Sequence, residues 1–231
     1  MVNIQPPEQK DLSLTITIHS IFRTIQGEGP YAGYPAVFIR LAGCNLQCPQ
    51  CDTEYTSTRR RFFAKEVLNE VQNFRPTHSK PLVVITGGEP FRQPIGLARL
   101  VIYLLNAGWM VQIETNGTLP APEFLDHRVG IVVSPKTAKV HPSLYPYIMA
   151  IKYVLTASDI SEEDGLPKHV LGYNQKGAQV WRPPQELSYL PVYVQPADDE
   201  NQAENIKAAV ASAMSHGYIL CLQLHKILCM E

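Results

Sequence analysis

The chain has 231 residues and a formal net charge of −1 at pH 7, with 45% hydrophobic and 18% charged residues. This is an ordinary globular composition, long enough to bury the core of one domain. With a net charge near zero, the chain lacks the excess of basic residues that typically binds nucleic acid or a membrane surface. No apolar run is long enough to span a membrane. Five cysteines without a disulfide-like rhythm indicate a reducing compartment, so we expect a cytoplasmic protein.

The predicted elements alternate between strands and helices. Residues 1–13 are expected to form a flexible tail and residues 14–231 a single domain. Hydrophobic periodicity predicts strands at 14–18, 36–41, 82–86, 110–114, 130–133, 148–155, 191–195 and 218–223. It predicts helices at 66–74, at 97–105 with Gly108 just beyond the end, and at 204–215, where Ile206, Val210 and Met214 would face the core. The stretches 22–30 and 158–184 are predicted to be irregular, because glycine and proline interrupt both.

Strand–helix alternation predicts a parallel α/β sheet. The connections at 115–130 and 135–148 are too short for full crossover helices, so we predict an incomplete, helix-poor TIM-like (β/α) barrel. In such folds the chemistry lies at the carboxyl ends of the strands.

Three cysteines follow the strand predicted at 36–41. Cys44, Cys48 and Cys51 form a C-x3-C-x2-C array. A structural zinc site takes four protein ligands, whereas a cubane cluster held by three thiolates leaves one iron open to a small ligand. The array resembles the signature of the radical S-adenosylmethionine (SAM) enzymes, in which the amino and carboxylate groups of SAM chelate that iron. The resemblance implies a 4Fe–4S cluster, SAM and a barrel of the radical SAM type.

Glycine and polar residues mark the predicted ends of four other strands. Gly87, Gly88 and Glu89 resemble the motif that binds the SAM amino group, and glycines allow a backbone to approach a ligand closely. Each of these segments could instead be a plain turn, but their clustering on one rim favours a cofactor site. The residues predicted to bind the cofactor are Gly87, Gly88, Glu89, Thr115, Asn116, Ser134, Pro135, Lys136 and Gln195.

An acid and an arginine lie near the N-terminus. Glu28, in Gln26-Gly27-Glu28-Gly29, and Arg40 could form a structural ion pair. They could also bind a ligand with a donor-rich ring edge and a carboxylate. With Phe38-Ile39-Arg40-Leu41 and Cys51-Asp52-Thr53, this stretch resembles the 7-carboxy-7-deazaguanine synthase family of queuosine and 7-deazapurine biosynthesis, a likeness that runs from about Ile18 to Lys226.

The resemblance implies a specific reaction. The family converts 6-carboxy-5,6,7,8-tetrahydropterin to 7-carboxy-7-deazaguanine with loss of ammonia, using a radical borne by the cofactor, assisted by Mg2+ and regenerating SAM. By position, the substrate-binding residues would be Ile25, Gln26, Gly27, Glu28, Arg40, Thr86, His225 and Glu231, and the Thr53 hydroxyl would bind Mg2+. The family also implies a homodimer and a flavodoxin- or ferredoxin-like electron donor.

Several alternatives stay open at this stage. A glycyl-radical-enzyme activase would share the cysteine array but have no use for a pterin site, and a non-catalytic zinc module would recruit a fourth ligand such as Cys221. Thr53 could simply cap the cysteine loop with Asp52. The basic run 59–61 is expected to be a solvated loop, and Cys221 and Cys229 a buried and a tail thiol.

Overall fold

The structure is a computed structural model that describes residues 5–49, 51–75, 81–170 and 179–230. Within these residues nine strands form one sheet: β1 (Ile16–Ile25), β2 (Pro35–Leu41), β3 (Arg60–Phe62), β4 (Leu82–Gly87), β5 (Met110–Thr115), β6 (Gly130–Val133), β7 (Ile148–Leu155), β8 (Val192–Pro196) and β9 (Ile219–Leu220). The α-helices of the same residues are α1 (Ala64–Gln72), α2 (Pro94–Asn106), α3 (Gln202–His216) and α4 (Leu224–Ile227).

The strands follow the order β3-β1-β2-β4-β5-β6-β7-β8-β9, which leaves β3 and β9 at the two edges. β1 pairs antiparallel with β2 and β3, and every other pairing from β2 to β9 is parallel. Residues 107–147, all of them described, contain no α-helix between β5, β6 and β7. These features confirm the predicted incomplete, helix-poor barrel.

The strongest sequence patterns produced the expected elements. In β4, Leu82 to Ile85 are almost completely buried, as expected for a strand covered on both faces. In α2, Pro94 occupies the first turn and the leucines at the predicted period are buried. Gly108, with φ of +81°, follows the C-cap residue Ala107 and ends the helix in the left-handed conformation that glycine tolerates.

Two predictions near the N-terminus were wrong. The segment 22–25 is part of β1, because antiparallel pairing with β2 extends to Ile25 opposite Pro35, and only residues 26–34 form the connection. The basic run is not a loop: Arg60 and Arg61 lie in the edge strand β3, where Arg60 pairs with Ile18. The backbone of β1 forms hydrogen bonds with both β2 and β3. The local sequence of each segment does not reveal its pairing partner.

The predicted inward face of α3 was also wrong. Ile206, Val210 and Met214 are 38%, 40% and 83% exposed, and the buried residues are instead Asn205, Ala209 and Ser212.

Hydrogen bonds to neighbouring backbone explain this orientation. Asn205 accepts from the Ala157 N–H at 2.8 Å and donates to the Ala197 carbonyl at 3.1 Å, and Ser212 donates to the Gly165 carbonyl at 2.7 Å. These bonds satisfy backbone groups that burial would otherwise leave without partners.

The predicted N-terminal tail and the predicted irregular stretch 158–184 behave differently. Residues 5–13, the described part of the predicted tail, make hydrogen bonds with Cys44 and Arg92, and the division into a tail and one domain stays a prediction. The described part of 158–184 contains turns and two isolated bridges, Ile160 with Pro167 and His169 with Gln179. Among the described helices, none has the length and apolar character needed to cross a membrane.

Candidate active site

A cavity of about 490 Å3 opens at the carboxyl ends of the parallel strands. Most of the predicted site residues line it: Gln26, Glu28, Arg40, Cys44, Cys48, Cys51, Thr53, Thr86, Gly87, Gly88, Thr115, Asn116, Ser134, Pro135, Lys136, Gln195 and His225. We call the part formed by Cys44, Cys48, Pro49, Cys51, Asp52, Gly87, Gly88, Thr115, Asn116, Ser134, Pro135 and Lys136 the loop wall. The strand wall is the part formed by Gln26, Glu28, Arg40, Thr86, Glu114, Lys152, Gln195 and His225.

The cysteine loop of the loop wall begins with a turn that requires glycine. Gly43 has φ of +84°, and its N–H donates to the Tyr55 carbonyl at 3.2 Å. At the other end the Cys51 N–H donates to the Cys48 carbonyl at 3.2 Å, which closes a tight turn between two cysteines. The loop therefore turns its three thiols toward the cavity over a very short stretch of chain.

The three thiols are free, and their surroundings favour the neutral form in the absence of metal. Burial raises the pKa of Cys44 to about 12 and also raises the pKa values of Cys48 and Cys51. Binding of a cationic cluster would therefore displace protons from these sulfurs.

The donor chemistry of the three thiols fits an iron–sulfur cluster. Among the described residues, no three His, Cys, Asp or Glu side chains converge as ligands of one metal ion. A zinc site needs such convergence, whereas a cubane takes each thiolate on a different iron and tolerates a wider spacing. Three free thiols around one cavity, Cys44 buried and Cys48 and Cys51 partly buried, are a suitable donor set for a 4Fe–4S cluster.

The glycine turn after β4 packs directly on the cysteine loop. The Gly88 N–H donates to the Leu41 carbonyl at 3.0 Å, and the Glu89 N–H donates to the Gly43 carbonyl at 2.9 Å. A Cβ atom at Gly88 would lie 2.0 Å from the Gly43 oxygen, and Gly87 has φ of +128°. Only glycine fits at these positions, and the turn keeps its backbone exposed to the cavity.

Glu89 lies beneath this turn and outside the cavity lining. Its carboxylate accepts hydrogen bonds from the Phe91 N–H at 2.9 Å, the Thr115 hydroxyl at 2.8 Å and the Asn116 N–H at 2.9 Å. Complete burial raises the pKa of Glu89 to about 7. In this structure Glu89 joins the turns after β4 and β5, so its predicted contact with the cofactor stays a prediction.

The turns after β5 and β6 complete the loop wall. The Asn116 side chain donates to the Asn45 side-chain oxygen at 3.1 Å, which connects the β5 turn to the cysteine loop. The Lys136 ammonium donates to the Ser134 hydroxyl at 2.6 Å, and burial lowers the pKa of Lys136. Polar groups from three strand ends therefore meet beside the thiols.

A carboxylate that the sequence analysis missed lies at the centre of the strand wall. Glu114 accepts hydrogen bonds from the Gln26 amide at 3.0 Å, the Gln112 amide at 3.1 Å and the Thr86 hydroxyl at 3.3 Å. Gln26 and Thr86 were both predicted to bind substrate, and Glu114 connects them across β4 and β5.

The second carboxylate of the strand wall, Glu28, is paired with a lysine that was also missed. Lys152 of β7 forms an ion pair with Glu28, and Gln223 donates to the same carboxylate at 2.8 Å. Burial alone would lower the pKa of Lys152, but the adjacent Glu28 raises it above its usual range. Burial alone would raise the pKa of Glu28, but the adjacent Lys152 lowers it below its usual range. The pair is therefore charged on both sides at neutral pH.

Arg40 and His225 are two further members of the strand wall. The Arg40 guanidinium lies over the ring of Phe22, 5.2 Å from its centroid. His225 packs against Gly27, where a Cβ atom would lie 2.1 Å from the imidazole Nδ1, and burial lowers the His225 pKa. Gly27 thus allows the C-terminal helix α4 to approach the cavity, whereas Ile25 and Gly27 themselves are not part of its lining.

Thr53 lies between the two walls. Its hydroxyl donates to the Asp52 carboxylate at 3.4 Å. Asp52 also accepts from Lys226 at 3.0 Å and Gln223 at 3.1 Å, and although burial opposes it, Lys226 holds the Asp52 pKa at about 2. Both interpretations of Thr53, a cation ligand and a cap of the loop, agree with this placement.

The irregular stretch 158–184 contributes to the rim of the cavity. Asp159, Pro167, His169 and Val180 line it, and the His169 Nδ1 lies 2.5 Å from Asp159 Oδ1. Of the residues predicted for the site, Glu231 lies outside the described part of the chain.

A sequence signal for the missed residues did exist. Glu114 and Lys152 are the charged residues of the apolar strands β5 and β7, just as Arg40 is in β2. A single charge in a buried strand needs a partner, so each of these residues indicated a polar interior site.

Comparison with known proteins agrees with this geometry. The Radical SAM superfamily model matches residues 38–128. The chain is 42% identical to the 7-carboxy-7-deazaguanine synthase of Rhodospirillum rubrum over 222 residues, covering 93% of this chain and 92% of the relative. It is 40% identical to the enzyme of the same name from Rickettsia prowazekii over 228 residues, covering 94% and 89%.

A solved structure shows the same fold. The crystal structure of QueE from Escherichia coli superposes with a TM-score of 0.68 at 23% identity, covering 91% of this chain and 95% of that one. The matches to the two synthases cover nearly the whole length of both chains. Together with the shared fold, these matches confirm the resemblance inferred from the motifs. The chain belongs to the 7-carboxy-7-deazaguanine synthase family within the radical SAM superfamily.

Proposed function

We propose that the protein converts 6-carboxy-5,6,7,8-tetrahydropterin to 7-carboxy-7-deazaguanine, with loss of ammonia, in 7-deazapurine biosynthesis. As a radical SAM enzyme it uses a 4Fe–4S cluster and SAM. The observation that carries the proposal is one cavity lined both by three free thiols and by two carboxylates, Glu28 and Glu114, with Arg40. Family membership also disfavours an activase with a protein substrate and a zinc module.

The loop wall suits the cofactors. Cys44, Cys48 and Cys51 would hold the cluster, and the backbone of Gly87 and Gly88 leaves room for the SAM amino and carboxylate groups. A cluster held there would supply one electron for the reductive cleavage of SAM, the chemistry that would start hydrogen abstraction from the substrate. The loop-wall residues Thr115, Asn116, Ser134, Pro135 and Lys136, with Gln195 of the strand wall, would contact the remainder of SAM, and Glu89 is a proposed further contact.

The strand wall suits a carboxylated pterin. The pterin ring presents a donor-rich edge, which a carboxylate accepts, and we add Glu114 to the predicted acceptors because Gln26 and Thr86 hold it at the cavity. The planar fork of Arg40 matches the substrate carboxylate. Glu28 remains a proposed substrate residue that also holds Lys152, with Ile25 and Gly27 positioning the loop around it.

Three further parts of the proposal concern the pterin site. The Thr53 hydroxyl would bind Mg2+, since an oxygen-only set made with the substrate suits this hard cation. His225 would contact the ring in its neutral form, because burial lowers its pKa. The carboxylate of Glu231 is proposed as a substrate contact by family resemblance alone.

One experiment tests the reaction directly. The protein, reconstituted with iron and sulfide without oxygen, is incubated with reductant, SAM and 6-carboxytetrahydropterin, and the product mass is measured. We expect a product that has lost the elements of ammonia and depends on SAM. A protein with about four Fe and four S per chain but no such product would contradict the substrate assignment.

The surroundings of the enzyme are proposed on the same basis. We place it in the cytoplasm, where a flavodoxin- or ferredoxin-like protein would supply the electron. Replacing the chemical reductant by this carrier in the same assay tests that partner. Turnover that occurs with the chemical reductant but not with the carrier would contradict it.

We also propose a homodimer that covers the exposed apolar residues of α3 and β9. Ile206, Val210 and Met214 form one stripe of α3, and Ile219 of the edge strand β9 is 45% exposed. Met214→Asp should give a monomer in sedimentation experiments, whereas Phe124→Asp, at a 73% exposed site elsewhere, should leave the dimer intact. A dimer that survives Met214→Asp would place the interface elsewhere.

A further inference from the structure

The segment formed by residues 5–13, which we call the N-terminal segment, contacts the cysteine loop at two points. At the first point the Gln5 side-chain amide donates to the Thr53 carbonyl at 3.3 Å and accepts from the Tyr55 N–H at 3.2 Å. Tyr55 is 1% exposed and leads out of the loop. Gln5 therefore fixes the backbone just after Cys51, as a neighbouring strand would.

The second contact is at the start of the cysteine loop. The Glu8 N–H donates to the Cys44 carbonyl at 2.6 Å. The Glu8 carboxylate accepts from Arg59 Nη1 at 3.2 Å and lies 3.4 Å from Arg92 Nη1. The backbone of Glu8 thus holds Cys44 directly, and its side chain fixes Glu8 in that position by pairing with Arg59 and Arg92.

Arg92 extends this contact to the glycine turn after β4. It lies four residues beyond Gly88, is 6% exposed, and donates to the Gln9 carbonyl at 2.8 Å and the Ala42 carbonyl at 3.2 Å. A Cβ atom at Gly43 would lie 2.7 Å from Arg92 Nη2 and 2.8 Å from Glu8 Oε2. The N-terminal segment, the cysteine loop and the glycine turn therefore form one closely packed unit.

We propose that Gln5 and Glu8 are positioning residues for the cluster, which hold the two ends of the cysteine loop at the spacing that three thiolates on one cubane require. The inference rests on the proposed cluster at Cys44, Cys48 and Cys51. Without these contacts the loop ends move more freely, and each iron–sulfur bond that opens closes again more slowly. The segment would act on retention of the cluster and leave the overall fold, which begins at β1, largely unchanged.

The test compares two double variants of the full chain. Gln5→Ala/Glu8→Ala removes the side-chain contacts, whereas Gln9→Ala/Lys10→Ala changes two exposed side chains of the same segment that make no hydrogen bond or ion pair among the described residues. Each variant is reconstituted without oxygen, mixed with a ferrous chelator, and followed by loss of the brown absorbance. The unfolding midpoint of the iron-free protein is measured alongside.

We expect Gln5→Ala/Glu8→Ala to lose iron about tenfold faster than the wild type, with an iron-free midpoint close to that of the control variant. Gln5→Ala alone should give a smaller change in the same direction. Equal rates of iron loss in the two double variants would overturn the inference. A wild-type protein that binds no iron and sulfide would instead contradict the proposed function, so the two failures are distinguishable.

Discussion

The loop wall and the strand wall of the cavity differ in how far apart their functional groups lie in the sequence and in the charge that those groups carry. The loop wall takes its thiols from eight consecutive positions, and these thiols are neutral before metal binds because burial raises the cysteine pKa values. The strand wall draws its charges from residues far apart in the sequence, and Glu28 and Lys152 form an ion pair within it. The comparison suggests that removing one loop-wall ligand abolishes function, whereas removing one strand-wall charge affects stability as well as binding.

The largest expected effect tests the loop wall. Cys44→Ala removes one of three thiolates, which leaves a second iron open and destabilises the cubane. We expect loss of both the brown absorbance and turnover. Cys229→Ala, which removes an exposed thiol, is the matched control and should retain both. Full iron content and activity in Cys44→Ala would refute the role of this array.

The next effect tests whether the strand wall is a coupled unit. Lys152→Met leaves the Glu28 carboxylate buried without its cation, so we expect the free energy of unfolding of the iron-free protein to fall by about 3–5 kcal/mol. Lys152→Met/Glu28→Gln should recover most of that loss in urea titrations. A double variant as unstable as the single one would show that the two charges are not coupled.

The same pair has a defined pH dependence. Lys152 lowers the pKa of Glu28 below its ordinary 4.5, so the stability that ionised Glu28 contributes is present above that value. It is lost as the pH falls through the folded-state pKa. The stability difference between wild type and the double variant should therefore diminish in acid, and a difference that grew there would contradict the assigned direction.

Arg40 distinguishes substrate binding from cofactor binding. Arg40→Lys keeps the charge but removes the planar fork that can bind a carboxylate at two points, so we expect the KM for the pterin to rise about tenfold. Cluster content and SAM binding should not change. A fall in SAM affinity would move Arg40 to the cofactor site.

The smallest effect concerns the residue between the walls. Thr53→Val keeps the side-chain volume but removes the hydroxyl, so we expect a severalfold loss of turnover and weaker dependence on Mg2+, with normal iron content. Thr56→Val, nearby on the same segment, is the control because its hydroxyl bonds to Glu54 away from the cavity. Unchanged Mg2+ stimulation in Thr53→Val would leave this residue as a cap of the loop.

The loop wall was predictable because its information is local. Cys44, Cys48 and Cys51 lie within one turn-rich segment, and their spacing alone indicates a shared ligand. The strand wall was only partly predictable. Arg40 and Glu28 were recognised, but the partner of Glu28 is Lys152, 124 residues away, and only the order of the strands brings the two together.

Helix α3 illustrates the opposite error. Its apolar residues recur at the helical period, and periodicity alone turns Ile206 and Met214 inward. In the structure Asn205 and Ser212 take the buried face because backbone groups of neighbouring segments need their hydrogen bonds. Such needs arise only when the segments meet, so the sequence of the helix does not show them.

The contact between Gly43 and Gly88 limits which substitutions this cavity can accept during evolution. A methyl group at Gly88 would meet the Gly43 oxygen at 2.0 Å, and one at Gly43 would meet the Arg92 guanidinium, so neither position accepts a side chain. A change at one cannot be rescued at the other, because both already have the smallest residue. New ligand preferences must therefore arise where side chains can vary, and the rim formed by Asp159 and His169 offers such a place.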